Sequence, residues 1–190
     1  MIYTVECGFV ESTREGEWND FYSDLKLPAL ISVTGFRTSQ RFKAISAGCP
    51  AYLAVHTIDG LEVLNGDEYR EKGGGNFARW QPDITDWRRN LYDGIDRAPD
   101  VVAGEYLALS STGPEALTRL GLAPHAMHAV AMGKNPEMSP KTNPEQRWLA
   151  TAESAEFPLL SQVSNDIYVY VPMTPQLNEE RGVGRIFERS

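Results

Sequence analysis

His56 is the residue of this 190-residue chain best suited to proton transfer. A histidine with an ordinary pKa changes its charge near neutral pH, so its imidazole can accept and return a proton during catalysis. His56 lies within the segment 51–59, which has the β-branched and aromatic residues typical of a strand. We therefore expect His56 to be a general acid or base on a rigid strand. The alternative is a core histidine that is hydrogen-bonded to a neighbouring element.

Arginine and tyrosine side chains could hold a substrate oxygen beside that histidine. Arg37 and Arg41 are four residues apart in a predicted strand over 33–46, and this even separation puts them on the same face of the strand. Either guanidinium could bind a carboxylate or an enolate. A solvated edge strand explains the two arginines equally well. Phenol hydroxyls that could donate to a substrate phenol or carbonyl occur at Tyr52, Tyr92, Tyr106, Tyr168 and Tyr170. Packing in a barrel wall would account for the same tyrosines without any function.

Two further aromatic side chains are candidates for contacting the same substrate. His128 belongs to a predicted strand over 126–132. Trp80 flanks the loop 81–83 and could form part of a lid, with the anchoring of a surface helix as the alternative. We include both among the substrate-binding residues, whereas His56, Arg41 and Tyr52 form the predicted catalytic group.

The sequence gives little support for metal chemistry. It has two cysteines, three histidines and no Cys-x-x-Cys motif. His125 and His128 are three residues apart in a segment that favours a strand, which points their rings to different sides. We therefore expect no metal and no cofactor, although a haem needs only one axial histidine and His56 or His128 would suffice.

Net charge and hydropathy limit the classes of partner that the protein can bind. Eighteen Lys and Arg residues against 26 Asp and Glu residues give a net charge of −8, which argues against a nucleic-acid or anionic-membrane partner. The first residues carry neither a basic region nor a long apolar stretch, so we expect no signal peptide and no membrane span. The expected location is the cytoplasm, and the expected partner is a small molecule.

The order of predicted elements is β-α-β-β-α-β, and it occurs twice. Residues 1–96 and 100–172 would form two ferredoxin-like halves, followed by a C-terminal arm over 173–190. Two such halves can cover each other's open sheet face. We therefore predict an α+β fold in which two tandem ferredoxin-like halves pack sheet to sheet as an α+β barrel.

Side-chain periodicity predicts which residues face the core. The spacing of Trp18, Phe21, Tyr22 and Leu25 indicates one face of a helix, which Pro28 would end or kink. Three predicted strands alternate an aliphatic face with a face of Tyr, His and small residues. We expect the second face to line an aromatic barrel cavity, with the members Tyr52, Ala54, His56, Tyr106, Ala108, Ser110, Tyr168 and Tyr170.

Three short motifs carry a resemblance to a known superfamily. They are Trp18-x-x-Phe21-Tyr22, the strand from Gly35-Phe36 to Gln40-Arg41-Phe42, and Pro50-Ala51-Tyr52-Leu53-Ala54-Val55-His56. With them the chain resembles the dimeric α+β barrel superfamily, including the EthD-like and related proteins. The resemblance covers roughly residues 1–95, and the second half matches by element order only. It implies a cavity and is compatible with a homodimer.

Together the residues and the resemblance favour a cofactor-free enzyme that acts on a small aromatic or enolisable metabolite by proton transfer. Such an isomerase, cyclase or lyase would use His56 as base or acid, with Arg41 and tyrosines stabilising negative charge on oxygen. One alternative is a cofactor-free monooxygenase of phenolic substrates. Another is a small-molecule-binding protein without turnover.

Overall fold

The computed structural model describes residues 1–10, 13–74, 78–133, 144–153 and 166–179. Its strands are β1 (Ile2–Phe9), β2 (Phe36–Ala44), β3 (Tyr52–Ile58), β4 (Ile84–Asp93), β5 (Tyr106–Ser110), β6 (His125–Val130), β7 (Gln146–Ala152), β8 (Ile167–Pro172) and β9 (Leu177–Asn178). Its α-helices are α1 (Glu15–Asp20), α2 (Leu27–Ile31), α3 (Leu61–Asn65) and α4 (Glu115–Arg119). Two π-helical segments, Phe21–Lys26 and Tyr69–Gly74, and a 3₁₀ turn, Gln81–Asp83, complete the elements.

The first eight strands form a closed antiparallel barrel. Their order is β3-β1-β4-β6-β7-β5-β8-β2, and β2 pairs again with β3. Closure leaves none of these eight strands as a free edge, which removes the need for a covering element at the sheet margin. The short strand β9 pairs with β2 outside this circle. The α+β barrel is thus confirmed.

The two halves of the barrel have the same strand order. In the first half it is β4-β1-β3-β2, and the corresponding strands of the second half follow β8-β5-β7-β6. The repeated element order predicts a second helix in the second half, and the stretch 155–162, where we expect it, falls outside the described residues. The tandem ferredoxin-like arrangement and the boundaries 1–96 and 100–172 therefore stay predictions.

Apolar side chains form three layers. One lies between the helices and the sheet of the first half, and another lies between α4 and the second half. The third fills the barrel interior with residues from both halves: Ile2, Phe42, Leu53, Val55, Tyr92, Leu107, Leu109, Met127, Leu149 and Tyr170.

The first helical stretch buries a different face from the predicted one. Trp18 and Tyr22 are buried as expected, but Leu25 is 64% exposed and Lys26 is 2% exposed. The reason is the π-helical segment Phe21–Lys26, in which hydrogen bonds from i to i+5 widen the turn and shift the buried face by one residue. Pro28 does not end the helix, because α2 continues to Ile31 with this proline in its first turn.

The prediction for the strand faces is wrong in two strands and correct in one. On β3, Tyr52 and Ala54 pack under the helices, whereas Leu53 and Val55 point into the barrel. On β5, likewise, Leu107 and Leu109 point into the barrel, whereas Ala108 packs under the helix. On β8 the tyrosine face does point inward, since Tyr170 is part of the interior cluster. Strand periodicity defines two faces but does not say which one a helix covers.

Among the residues that the structure describes, no helix combines the length and the apolar character that crossing a membrane requires.

Candidate active site between the helices and the sheet

Arg89 and two tyrosine hydroxyls form a polar cluster in the apolar layer of the first half. Arg89 Nε donates to Tyr3 Oη at 2.6 Å, and Arg89 Nη2 donates to Tyr69 Oη at 3.4 Å. The two phenol oxygens are 3.2 Å apart. Strands β1 and β4 are neighbours and supply Tyr3 and Arg89, while Tyr69 opens the second π-helical segment. Within the described ranges, no carboxylate pairs with Arg89.

Burial keeps the phenol of Tyr3 protonated. It raises the pKa of Tyr3 well above its ordinary value, and Tyr69 raises it further, against the opposing effect of Arg89. A neutral phenol beside a guanidinium is a hydrogen-bond donor to an oxyanion. The cluster can therefore stabilise negative charge on a substrate oxygen.

Lys26 lines a small cavity together with this cluster. The cavity has a volume of about 30 Å³, which is room for one or two water molecules. Its walls are Tyr3, Val5, Tyr22, Lys26, Leu30, Tyr69, Gly73, Trp87 and Arg89. Lys26 Nζ donates a hydrogen bond to the carbonyl oxygen of Gly73. The cavity is therefore smaller than an aromatic ring, and binding of such a ring in this layer requires the cavity walls to move apart.

His56 lies in the same layer but is fully buried. Its Nδ1 is 2.8 Å from Ser39 Oγ, and its ring stacks on Tyr3 with 5.5 Å between centroids. Its Nε2 has no hydrogen-bond partner among the described residues. Burial, aided by the charge of Lys26, lowers the pKa of His56 to about 3. The ring is therefore neutral and weakly basic, and its role as acid or base stays a prediction.

Arg41 and Tyr52, the other predicted catalytic residues, connect the first helices to the sheet. The Arg41 guanidinium donates to the backbone and side-chain oxygens of Asn19 and to Ser23 Oγ. It also stacks over the ring of Tyr22 at 4.3 Å and over that of Tyr52 at 5.0 Å. The Tyr52 hydroxyl accepts from Asn19 and donates to Glu15. In these contacts Arg41 and Tyr52 donate hydrogen bonds to other groups of the protein rather than to a ligand.

The remaining predicted residues are spread over several places. Trp80 is buried against Trp18 and Phe9 rather than placed over a cavity. Arg37 is exposed, pairing with Asp59 and Glu179, and His128 is exposed beside Gln146. The barrel interior holds Tyr92 and Tyr170, and Tyr168 packs against the same interior cluster, whereas Tyr106 packs against the cluster that includes Leu117 of α4. The structure does not bring these residues into one aromatic cavity, and their binding roles stay predictions.

A buried ion pair crosses the barrel interior. Arg147 on β7 donates two hydrogen bonds, each of 3.0 Å, to the two carboxylate oxygens of Glu6 on β1. Tyr170 adds a third donor to Glu6 at 3.4 Å. Because its acceptors and donors satisfy one another, this pair is better suited to holding the strands together than to binding a ligand.

A second cavity lies at the surface. It is an open groove of about 640 Å³ lined by Ser111, His128, Pro144, Glu145, Gln146 and Trp148. Its two central polar residues, His128 and Gln146, are exposed and hydrogen-bond to each other. Since groups with shifted pKa values cluster at functional sites, the layer around Arg89 is the stronger candidate.

Sequence reasoning missed Tyr3, Lys26, Tyr69 and Arg89 as site residues. Helical periodicity gives no signal for Lys26, because it places Leu25 on the face of Trp18 and Tyr22, and only the π-helical segment brings Lys26 to that face. The other three meet only through strand pairing and through the return of the segment Tyr69–Gly74 over the sheet. Within the described parts of the chain, no group of three or more His, Cys, Asp or Glu residues could hold a metal ion.

Comparison with known proteins gives matches to solved structures. No protein-family profile matches the sequence, and no curated protein sequence matches it. A "putative monooxygenase" from Lactobacillus acidophilus NCFM aligns with 94% of this chain and 96% of its own, at 6% identity and a TM-score of 0.52. An anthrone oxidase-like protein aligns with 94% of this chain and 93% of its own, at 8% identity and a TM-score of 0.56.

A "putative monooxygenase" from Fusobacterium nucleatum subsp. nucleatum ATCC 25586 aligns with 94% of both chains, at 6% identity and a TM-score of 0.55. At such low identity these similarities show the fold alone, and they do not single out the EthD-like proteins. The chain shares the α+β barrel fold with these structures, and one polypeptide supplies all eight barrel strands.

Proposed function

We propose that the layer between the helices and the sheet of the first half binds a phenolic or enolisable small molecule as its anion, and that the protein oxidises this anion with dioxygen without a cofactor. The observation that carries the proposal is the cluster of the half-buried Arg89 with the buried Tyr3 and Tyr69, a guanidinium and two phenols that converge in an apolar layer. Two of the similar structures carry the description "putative monooxygenase" and one is described as anthrone oxidase-like, which agrees with this chemistry.

The cluster supplies what the first chemical step needs. Removing a proton from a phenol or from an activated CH₂ group places negative charge on a substrate oxygen. Preorganised donors in a site that excludes water stabilise such charge far better than water does. Arg89 and the two phenols would form that set of donors, with the substrate oxygen taking over hydrogen bonds that they now make to one another.

The overall reaction balances without a further reductant. A CH₂ group of the substrate loses two hydrogens and gains one oxygen, which becomes a carbonyl. The second atom of dioxygen leaves as water with those two hydrogens. The four electrons that reduce dioxygen come from the two C–H bonds, so neither a flavin nor a metal has to supply them.

The isomerase or lyase hypothesis is less well supported by the same geometry. It assigns proton transfer to His56, whose pKa of about 3 makes the ring a weak base at neutral pH. It also needs an aromatic cavity in the barrel, and that interior is filled by apolar side chains and the Glu6–Arg147 pair.

Oxygen uptake with 1,8-dihydroxyanthrone as the probe tests the proposal. We expect one dioxygen to be consumed per quinone formed, with one ¹⁸O atom from labelled dioxygen in the new carbonyl. Arg89→Gln should lower the enzymatic rate by about 10²–10³-fold, the usual effect of removing an oxyanion donor. The matched control is Arg70→Gln, because Arg70 is an exposed arginine paired with Asp67.

Two outcomes would overturn the proposal. Conversion of phenols or lactones without oxygen uptake would favour the acid–base enzyme. Tight binding of the probe with no product above the uncatalysed rate would favour a binding protein.

A further inference from the structure

Lys26 is placed in this layer by an irregular helix. It ends the π-helical segment Phe21–Lys26 and is 2% exposed, while its neighbour Leu25 points to solvent. Lysine is rarely buried to this extent, and a π-helical turn inside an α-helix is often found at a functional site. The irregular turn is therefore what brings an amine, rather than a leucine, to the sheet.

Among the residues that the structure describes, the cavity-lining groups around Lys26 are neutral or positively charged. Strand β1 presents Tyr3, β3 presents the neutral His56, and β4 presents the guanidinium of Arg89. The segment Tyr69–Gly74 presents Tyr69 and the Gly73 carbonyl, and the lysine's own helix presents Tyr22. Burial and, to a smaller extent, Arg89 lower the pKa of Lys26 to about 8, so a useful fraction of the amine is neutral near physiological pH.

We propose that Lys26 is the general base of the proposed oxidation, accepting the substrate proton on Nζ while the Gly73 carbonyl holds the amine at the cavity. This inference rests on the proposed function. A neutral amine has two N–H donors and one lone pair, so Nζ can keep its hydrogen bond to Gly73 while it takes a proton. Lys26, Tyr3, Tyr69 and Arg89 line one cavity, which places the base next to the donors for the oxyanion.

The proton transfers balance as follows. The first C–H proton goes to Nζ, and the carbanion adds dioxygen to form a C–O bond and a peroxide, which takes that proton back. The second C–H proton then goes to Nζ as the O–O bond breaks, which forms the carbonyl and releases hydroxide. Lys26 returns this proton to the hydroxide as water, so the amine ends in its starting state.

Two substitutions distinguish the proton-accepting role of Lys26 from the effects of its positive charge and of its side-chain packing. Lys26→Met keeps the length of an apolar side chain in the layer, and Lys26→Arg keeps a cation that cannot be deprotonated. The matched control is Lys72→Met, because Lys72 lies on the facing segment but is exposed and paired with Glu68. We expect kcat/KM to fall by about 10²–10⁴-fold in both Lys26 variants and to stay unchanged in the control.

The pH profile is the sharper measurement. In the wild type, kcat/KM should rise with pH to a plateau with a midpoint near 8, since the base must be neutral. Both Lys26 variants should lose this rise, whereas Lys72→Met should keep it. Folded Lys26→Met or Lys26→Arg protein with the wild-type rate and profile would overturn the inference.

A second readout does not need turnover. The pH at which bound 4-nitrophenol ionises, measured from phenolate absorbance, should increase by about 1–3 units in Lys26→Met, because a nearby ammonium stabilises the phenolate. Wild type that binds and ionises the probe but consumes no oxygen with any anthrone would end the proposed oxidation while keeping Lys26 as the proton acceptor. An unchanged ionisation pH in Lys26→Met would end the role of Lys26, whatever the reaction is.

Discussion

Arg147 and Glu6 form a two-point ion pair inside the barrel, with Nη1 3.0 Å from Oε2 and Nη2 3.0 Å from Oε1. They lie 141 residues apart in sequence, one in each half of the barrel. Both side chains are almost fully buried. The pair therefore links the two halves directly, and its removal should affect the stability of the whole barrel.

Replacing one partner of this ion pair should destabilise the folded protein. Glu6→Gln and Arg147→Met should each lower the free energy of unfolding by about 3–5 kcal/mol, because each leaves a buried polar partner without its counter-charge. The double variant should lose less than the sum of the two. Urea unfolding of the four proteins measures this coupling, and purely additive losses would show that the pair contributes no specific energy.

His56 should make the protein less stable at acid pH. The pKa of His56 is about 3 in the folded protein and about 6.5 when unfolded, so the unfolded state binds more protons between these values. The free energy of unfolding should therefore fall as the pH drops from about 6.5 towards 3, by an amount on the order of 4 kcal/mol. His56→Gln should show a smaller fall, in unfolding curves measured at several pH values.

The exposed His125 provides the control for that experiment, because His125→Gln should keep the wild-type pH dependence. A His56→Gln curve parallel to the wild type would mean that the pKa of His56 is the same in the folded and the unfolded protein. That result would return His56 to the list of groups able to exchange a proton at neutral pH.

Gly73 should control access to the cavity. A Cβ atom at this position would lie 2.7 Å from Leu30 Cδ2 and 3.0 Å from Tyr69 Cδ2, both in the cavity wall. Gly73→Ala should displace the Tyr69 ring and lower kcat/KM for the anthrone. Gly16→Ala is the matched control, since its Cβ would meet nothing within 4 Å. In α1 this alanine should stabilise the protein by about 0.5–1 kcal/mol.

Arg41 should contribute mainly to stability. Arg41→Met removes three hydrogen bonds to Asn19 and Ser23 and the guanidinium's contacts with three aromatic rings, and we expect the free energy of unfolding to fall by about 3 kcal/mol. Arg37→Met should have little effect, because Arg37 is exposed to solvent that screens its ion pairs. Folded Arg41→Met protein of unchanged stability but without turnover would instead support the predicted catalytic role.

The α+β barrel architecture could be predicted from the sequence because it follows from local patterns. Alternating residues mark the strands at β3 and β8, and the order of strands and helices leads to a sheet that must be covered on its second face. The composition also fixes the net charge of −8 and the small number of cysteines and histidines. These properties depend on near neighbours in the chain, so no tertiary information is needed.

Only the tertiary structure decided which strand face is the inner one. The tyrosine face of β3 lies under helices and that of β8 lies in the barrel, although both strands show the same alternation. The candidate site likewise depends on pairing between distant segments, since Tyr3 and Arg89 are 86 residues apart. Lys26 reaches the site through a single π-helical turn, which shifts the buried face of the helix by one residue. The 3.6-residue period of an α-helix does not predict this shift. Sequence periodicity defines faces, and packing of distant segments decides what each face meets.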